Sequence, residues 1–318
     1  MGSRLQYGGR FGRMITLGAS SSQDGWFVPV SLFIRSKLFV PGSRPELFDK
    51  AMASAADAVS FDLEDAVVES RKSHARDAVA AYLRGRRPGD GKVVIVRING
   101  LSTGAFTADL EALSGAKVDV INVPKIEGRA DVLRALDAFT RARIDAAMLA
   151  NIETPKGVRL AAEIATADPR VAGLQIGFKD LFSITGIDSS EAQAMYSIRV
   201  MVRLAAAEGG IPVFDTAYSD VKNPDGFRVE AEAARRLGFT GKSCIHPSQI
   251  PIANQVFSPT SEQIARAETI VAASADAEKQ GVGAFLLDGQ MIDRPIFDEA
   301  RAVVRLAQAL KIQTGQGK

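Results

Sequence analysis

Met148-Leu-Ala-Asn-Ile-Glu-Thr-Pro-Lys-Gly157 and Gly173-Leu-Gln-Ile-Gly-Phe-Lys-Asp180 decide how this chain of 318 residues is read. Each is an apolar run that ends on a carboxylate, Glu153 in the first and Asp180 in the second. Hard divalent cations such as Mg²⁺ take oxygen ligands, so two acids at the ends of consecutive buried strands form a natural metal site. In a parallel barrel, neighbouring strands would bring both acids into one mouth.

The same pattern repeats on either side. Short β-rich runs are expected at 37–40, 58–62, 93–98, 119–123, 146–152, 171–176, 211–214 and 240–243. Amphipathic helical stretches lie between them, among them 71–83, 130–141, 158–165, 191–208 and 226–237. Most strands start one βα unit apart, and eight such units predict a closed (β/α)₈ TIM barrel. A doubly wound open sheet is the alternative, but no strand is followed by the glycine-rich GxGxxG turn. Beyond the eighth strand the sequence predicts two more helices, 261–280 and 294–310, joined by an apolar linker at 281–293. This C-terminal helical extension is either an oligomer contact, a lid, or a pair of helices packed on their own barrel.

Composition narrows the function classes. Lys and Arg number 39 against 37 Asp and Glu, so net charge implies no nucleic acid or other polyanionic partner. Two histidines, His74 and His246, argue against a multi-histidine zinc centre. A single cysteine, Cys244, excludes an internal disulfide framework and fits a reducing, cytoplasmic setting. No segment reaches the roughly 20 apolar residues of a membrane span. Residues 1–34 are rich in Gly, Ser and Arg, with Asp24 their only acid. They read as a disordered extension or an early start more than as a transit peptide, which would imply an organellar matrix. The expected division is therefore 1–34, a catalytic barrel at 35–257, and an arm at 258–318.

Catalytic groups of barrel enzymes sit where strands end. The polar residues there are Arg44, then Asp62, Glu64 and Asp65, then Arg97 and Asn99, Lys125, Glu153, Asp180, Asp215 and His246. Asp62, Glu64 and Asp65 could be first-turn helix acids worth about 1 kcal/mol, but three in four positions exceed what capping needs. Arg97 lies inside an apolar strand, where its charge needs a partner, either a substrate carboxylate or the acidic cluster. Lys125 follows the same logic. His246 is read equally as a turn residue or a catalytic group, and Asp215 stays undecided.

Taken together, the strings Leu38-Phe-Val-Pro-Gly-Ser-Arg-Pro45, Phe61-Asp-Leu-Glu-Asp-Ala-Val67, Val96-Arg-Ile-Asn99, Pro124-Lys125, Ile152-Glu-Thr154, Gly177-x-x-Asp-Leu181, Gly241-Lys-x-x-Ile-His-Pro247 and Met291-Ile-Asp293 resemble the citrate lyase β-subunit / malyl-CoA lyase family of acyl-CoA lyases. The resemblance covers roughly residues 35 to 310 and keeps the family's order. It implies Mg²⁺, with Mn²⁺ as an alternative, held by Glu153 and Asp180, with Glu64 and Asp65 in an outer shell through water. Arg97 would meet the substrate carboxylate and oxyanion, and Lys125, Lys179 and Asp180 would line the substrate. Phe39, Arg44 and Lys50 match positions that hold CoA. Asp293 matches an acid carried by the arm into the adjacent subunit of a homotrimer or hexamer. The implied chemistry is reversible Claisen-type cleavage of a malyl-, citramalyl- or citryl-CoA thioester to a 2-oxo acid and acetyl-CoA, with Asp293 as general acid or base. Alternatives are the lyase subunit of a citrate lyase complex, working on a thioester held by an acyl-carrier partner, and a CoA-independent class II 2-oxo-acid aldolase. Thioesterase and malate synthase activities also occur in the family. Phe178 and Lys179 depart from the small residues that malyl-CoA lyases carry before the metal aspartate, and are expected to flank the substrate carboxylate.

Overall fold

The computed structural model describes residues 33–86, 92–279 and 281–310. The expected extension therefore lies almost wholly outside the described residues. Eight parallel strands close into a barrel in sequence order: β1 Ser36–Pro41, β2 Ala58–Asp62, β3 Val93–Arg97, β4 Val120–Val123, β5 Ala147–Ile152, β6 Val171–Ile176, β7 Val213–Asp215 and β8 Gly241–Cys244. β1 pairs with both β2 and β8, which closes the ring.

Side chains alternate across each strand. Leu38, Val40, Val59, Phe61, Val94 and Val96 point outward and form the main core with the surrounding helices. The inward set starts apolar: Ile34, Ala58, Ile95, Val120, Leu149 and Phe214 fill the N-terminal end of the barrel. One step further, the strand register lines up Ser60, Asn122, Gln175 and Ser243, all buried and all polar. Bulky branched residues usually fill such layers. Here the barrel turns polar half-way along its axis, below the mouth that holds the acids. Lys37 occupies a position level with the apolar floor and reaches upward, donating to Gln175 Oε1 with its Nζ 4.4 Å from the Phe39 ring. Burial holds its amine well below the ordinary lysine range.

The C-terminal arm differs from expectation. Its helices are Ser261–Lys279 and Arg294–Ala309, but the segment between them is a β-hairpin. β9 Phe285–Leu287 and β10 Gln290–Ile292 pair antiparallel around Asp288-Gly289, both in the left-handed region at φ 50° and 78°. Asp-Gly supplies the two positive φ values that a two-residue hairpin requires. The arm has its own small apolar core around Ala267, Ile270, Ile292 and Ala300, while Leu286 and Met291 stay 74% and 60% exposed.

Candidate active site

Glu153 leaves β5 and Asp180 lies in the first turn of the helix Phe178–Thr185 after β6. Thr154 ends the strand by capping the next helix: its hydroxyl accepts from the Gly157 N–H at 3.0 Å, and Pro155 fits the first helical position. On the other side, a Cβ on Gly177 would lie 2.4 Å from Glu153 Oε2. Glycine there is a steric requirement, since the carboxylate lies across its backbone.

Lys125 joins the two acids. Its backbone N–H donates to Glu153 Oε1 at 3.0 Å, and its Nζ lies 3.2 Å from Asp180 Oδ1. It does so from a left-handed backbone at φ 54°, a strained conformation for lysine of the kind found at functional sites. Burial would lower its amine, but the Asp180 charge raises it overall. Asn151 Nδ2 approaches Glu153 Oε2 at 3.3 Å. Glu153 is 2% exposed and, among the described residues, receives only these two neutral donors. Burial, together with the Asp180 charge, pushes its carboxyl up to about 7.

Arg97 emerges from β3 into an acidic cluster. Nε and Nη2 donate to the two Asp62 oxygens at 2.7 and 2.6 Å, a bidentate fork. Nη1 lies 2.9 Å from Glu64 Oε2, at an angle that makes no hydrogen bond, and 3.3 Å from Asp65. The Phe39 ring lies under the guanidinium with its centroid 5.0 Å away. Burial would raise the Asp62 carboxyl, but Arg97 and the N–H groups of Glu64 and Ala66 hold it below its usual value. Burial, with the charges of Asp65 and Glu153, pushes Glu64 up to about 8 despite Arg97.

Other expected residues are resolved individually. Arg44 is exposed and paired with Glu46, and Lys50 is exposed on the helix after β1. Asn99 is structural: it bonds Asp109, the Leu63 carbonyl and Lys72. His246 caps a short turn, with Nδ1 accepting from the Ser248 N–H at 3.2 Å, the backbone bond expected of a turn residue. Asp215 is also structural. It points outward from β7 and takes both Arg199 and Lys242. Asp293 caps the last helix, its Oδ1 accepting from Ile296 N–H at 3.4 Å. Among the described residues no hydrogen bond or ion pair ties it to Glu153, Asp180 or Arg97.

One expectation fails. Phe178 does not flank a substrate; it is 4% exposed, stacked on Phe182 and beneath Arg199 in the layer outside the barrel. The helix has already begun at that residue, so Phe178 and Asp180 stand about 200° apart around its axis. Lys179 is exposed beside them. Asn151 carries a role that strand-end reading missed, although it shares the inward face with Glu153 two residues on. Asp62, expected in the acidic cluster, pairs in register with Arg97.

Five carboxylates, Asp62, Glu64, Asp65, Glu153 and Asp180, thus face two cations, Arg97 and Lys125. A buried carboxylate with only neutral donors next to a second acid is a donor set that suits a hard cation. Among the described residues no three acid, His or Cys groups converge on one point. Two carboxylates completed by waters and ligand oxygens suit Mg²⁺ better than a closed protein cage does.

Known proteins resemble this chain in sequence and fold. A curated (3S)-malyl-CoA thioesterase of Cereibacter sphaeroides is 38% identical over 281 residues, covering 87% of this chain and 95% of that one. A citrate lyase subunit beta of Haemophilus influenzae is 38% identical over 284 residues, covering 86% and 97%. Among solved structures, protein CitE of Mycobacterium tuberculosis in complex with magnesium, acetoacetate and coenzyme A superposes with a TM-score of 0.70 at 35% identity, covering 86% of this chain and 97% of that one. The HpcH/HpaI aldolase/citrate lyase model matches residues 35–247, the barrel together with every strand-end acid described above, and the chain is a member of that family.

Proposed function

We propose that this chain is a Mg²⁺-dependent lyase that reversibly cleaves a malyl-, citramalyl- or citryl-CoA thioester to a 2-oxo acid and acetyl-CoA. The observation that carries the reading is Lys125, whose backbone and side chain reach Glu153 and Asp180 at once. The two acids therefore share one small volume, with more negative charge than the chain neutralises. Support comes also from CitE structures with magnesium and oxaloacetate and with magnesium and pyruvate, both 2-oxo acids.

Glu153 and Asp180 would hold Mg²⁺, or Mn²⁺ in its place, with Glu64 and Asp65 reaching it through water. Bound there, the ion supplies Lewis-acid stabilisation of the charge that builds on the substrate's carbonyl oxygen. Arg97 would meet a substrate carboxylate through Nη1, the nitrogen that Asp62 does not engage, in place of its contacts with Glu64 and Asp65. Lys125 and the exposed Lys179 stand beside the same end of the substrate. Phe39, beside Arg97, meets the acyl end of the thioester, while the exposed cations Arg44 and Lys50 suit the CoA phosphates. Asp293 gives its proton to the carbon freed when the C–C bond breaks, and in synthesis removes one from the acetyl methyl.

Asp293 does this from a neighbour. We divide the chain into a catalytic barrel, 35–257, and an arm, 258–318, that reaches an adjacent subunit of a homotrimer or hexamer. The exposed Leu286 and Met291 on the arm's hairpin support this. The lone cysteine Cys244 suits a reducing compartment, the cytoplasm or an organellar matrix. No helix among the described residues is long and apolar enough to cross a membrane.

The test is Mg²⁺-dependent release of oxo acid from the three thioesters. Asp293→Ala and Glu153→Ala should each be inactive, and mixing them should restore part of the activity through hybrid oligomers. Failure of the wild type on all three thioesters, or full activity of Asp293→Ala, overturns the reading. A second reading, hydrolysis of the thioester, is favoured by the Cereibacter relative's name; free CoA without oxo acid would select it. Activity seen only with a thioester on an added carrier would select the citrate lyase subunit role, as in the Haemophilus relative.

A further inference from the structure

Outside the barrel wall, four buried or half-buried charges form a closed group between β7, β8 and the helices Ala192–Glu208 and Pro224–Arg236. Arg199 donates to both Asp215 oxygens at 2.9 and 3.0 Å. Lys242 donates to Asp215 at 2.7 Å and to Glu230 at 2.9 Å. Two positive and two negative charges balance, and Arg199, Asp215 and Lys242 are all nearly inaccessible.

The fork of Arg199 is engaged edge-on by Asp215, which leaves the guanidinium face free to stack. That face covers Phe178 at 5.2 Å, and Phe178 in turn leans on Phe182 at 5.1 Å. Phe178 opens the eight-residue helix that carries Asp180 on its opposite side. A turn of this short helix about its axis that swings Asp180 must also drag Phe178 from beneath Arg199. Arg199 cannot follow without opening its bonds to Asp215.

We propose that Arg199, acting through Phe178, is a positioning residue that sets the orientation of Asp180 towards the cation site. The inference rests on the reading of Asp180 as a metal ligand. It assigns the charge cluster a task at the mouth, on the far side of the barrel wall from where it lies.

The experiment is Mg²⁺ titration of the full-length protein by calorimetry, with the melting temperature of every variant recorded alongside. Arg199→Lys keeps the charge and loses the planar face and the fork; Phe178→Leu keeps apolar bulk and loses the ring. Both should weaken Mg²⁺ binding about tenfold, as loss of outer-shell support does. Glu230→Gln also weakens the cluster, at its half-exposed edge; Glu230 lies 3.8 Å from Arg199 but makes no hydrogen bond to it, so the fork on Asp215 is kept. It should lower the melting temperature and leave Mg²⁺ affinity within roughly twofold of wild type. Affinities of Arg199→Lys and Phe178→Leu equal to wild type overturn the proposal. So does an affinity that merely follows melting temperature across all three variants. If wild type and Glu153→Gln bind Mg²⁺ alike, the metal reading itself falls and takes this role with it, a result distinct from the other two.

Discussion

Two of the buried carboxylates, Asp215 and Glu153, are treated oppositely. Asp215, outside the wall, meets Arg199 and Lys242; burial would raise its carboxyl, but the two cations hold it below the usual range. Glu153, in the mouth, meets a backbone N–H and an amide; its carboxyl rises to about 7. Both are almost fully buried. The difference is charge balance. A buried acid whose partners cancel it serves the fold, whereas one left uncancelled beside further acids is held ready for a ligand that brings the missing charge.

Four substitutions or conditions would break or sharpen this contrast. The largest effect is expected from Asp215→Asn, which strands two buried cations against the half-buried Glu230. It should cost about 3–5 kcal/mol, read from urea unfolding. Glu153→Gln, equally conservative in shape, should leave the melting temperature unchanged or higher while weakening Mg²⁺ binding by at least about 100-fold, or about 2.7 kcal/mol. If the two substitutions destabilise equally, the contrast fails. Next in size is Arg97→Lys, which loses the bidentate fork on Asp62. It should lower kcat/KM by roughly 10–100-fold, with the rise in KM for the oxo acid dominating in the synthetic direction. The smallest effect is a pH dependence. Because Asp215 titrates lower in the folded chain than in the unfolded one, its contribution is fully present above the unfolded value near 3.8. It disappears as pH falls through the lower folded value. Stability measured in acid should therefore fall less steeply in Asp215→Asn than in wild type.

Much of this was legible in the sequence, for definite reasons. Strand runs such as Met148 to Ile152 are buried on both faces, and near-continuous apolar runs are what parallel sheets require. The acids terminate those runs, so their address at the mouth follows from the barrel. Phe178 was misplaced because strand alternation stops at Ile176; beyond it the helical period governs, and neighbours two apart face opposite ways. Asp215 stayed undecided because it lies on a strand of three residues whose inward and outward faces composition alone does not distinguish. Arg199 lies on the buried face of a helix that reads as amphipathic, and only the fold shows what it pairs with. The hairpin was readable in principle from the Asp288-Gly289 dipeptide between Phe285-Leu-Leu287 and Gln290-Met-Ile292, but strands of three residues give alternation little room.

The apolar floor of the barrel, from Ile34 to Phe214, closes the end opposite the acids. With the barrel interior packed below the acids, the site is open on one side alone. If the oxo acid meets the ion that Glu153, at 2% exposure, would hold, and the rim cations hold CoA, the small acid lies beneath the large thioester. In cleavage the acyl-CoA product would then depart first and the oxo acid last, and in synthesis the oxo acid would bind first. On the proposed function, a floor that contributes nothing to the chemistry would thus set the kinetic order of both directions.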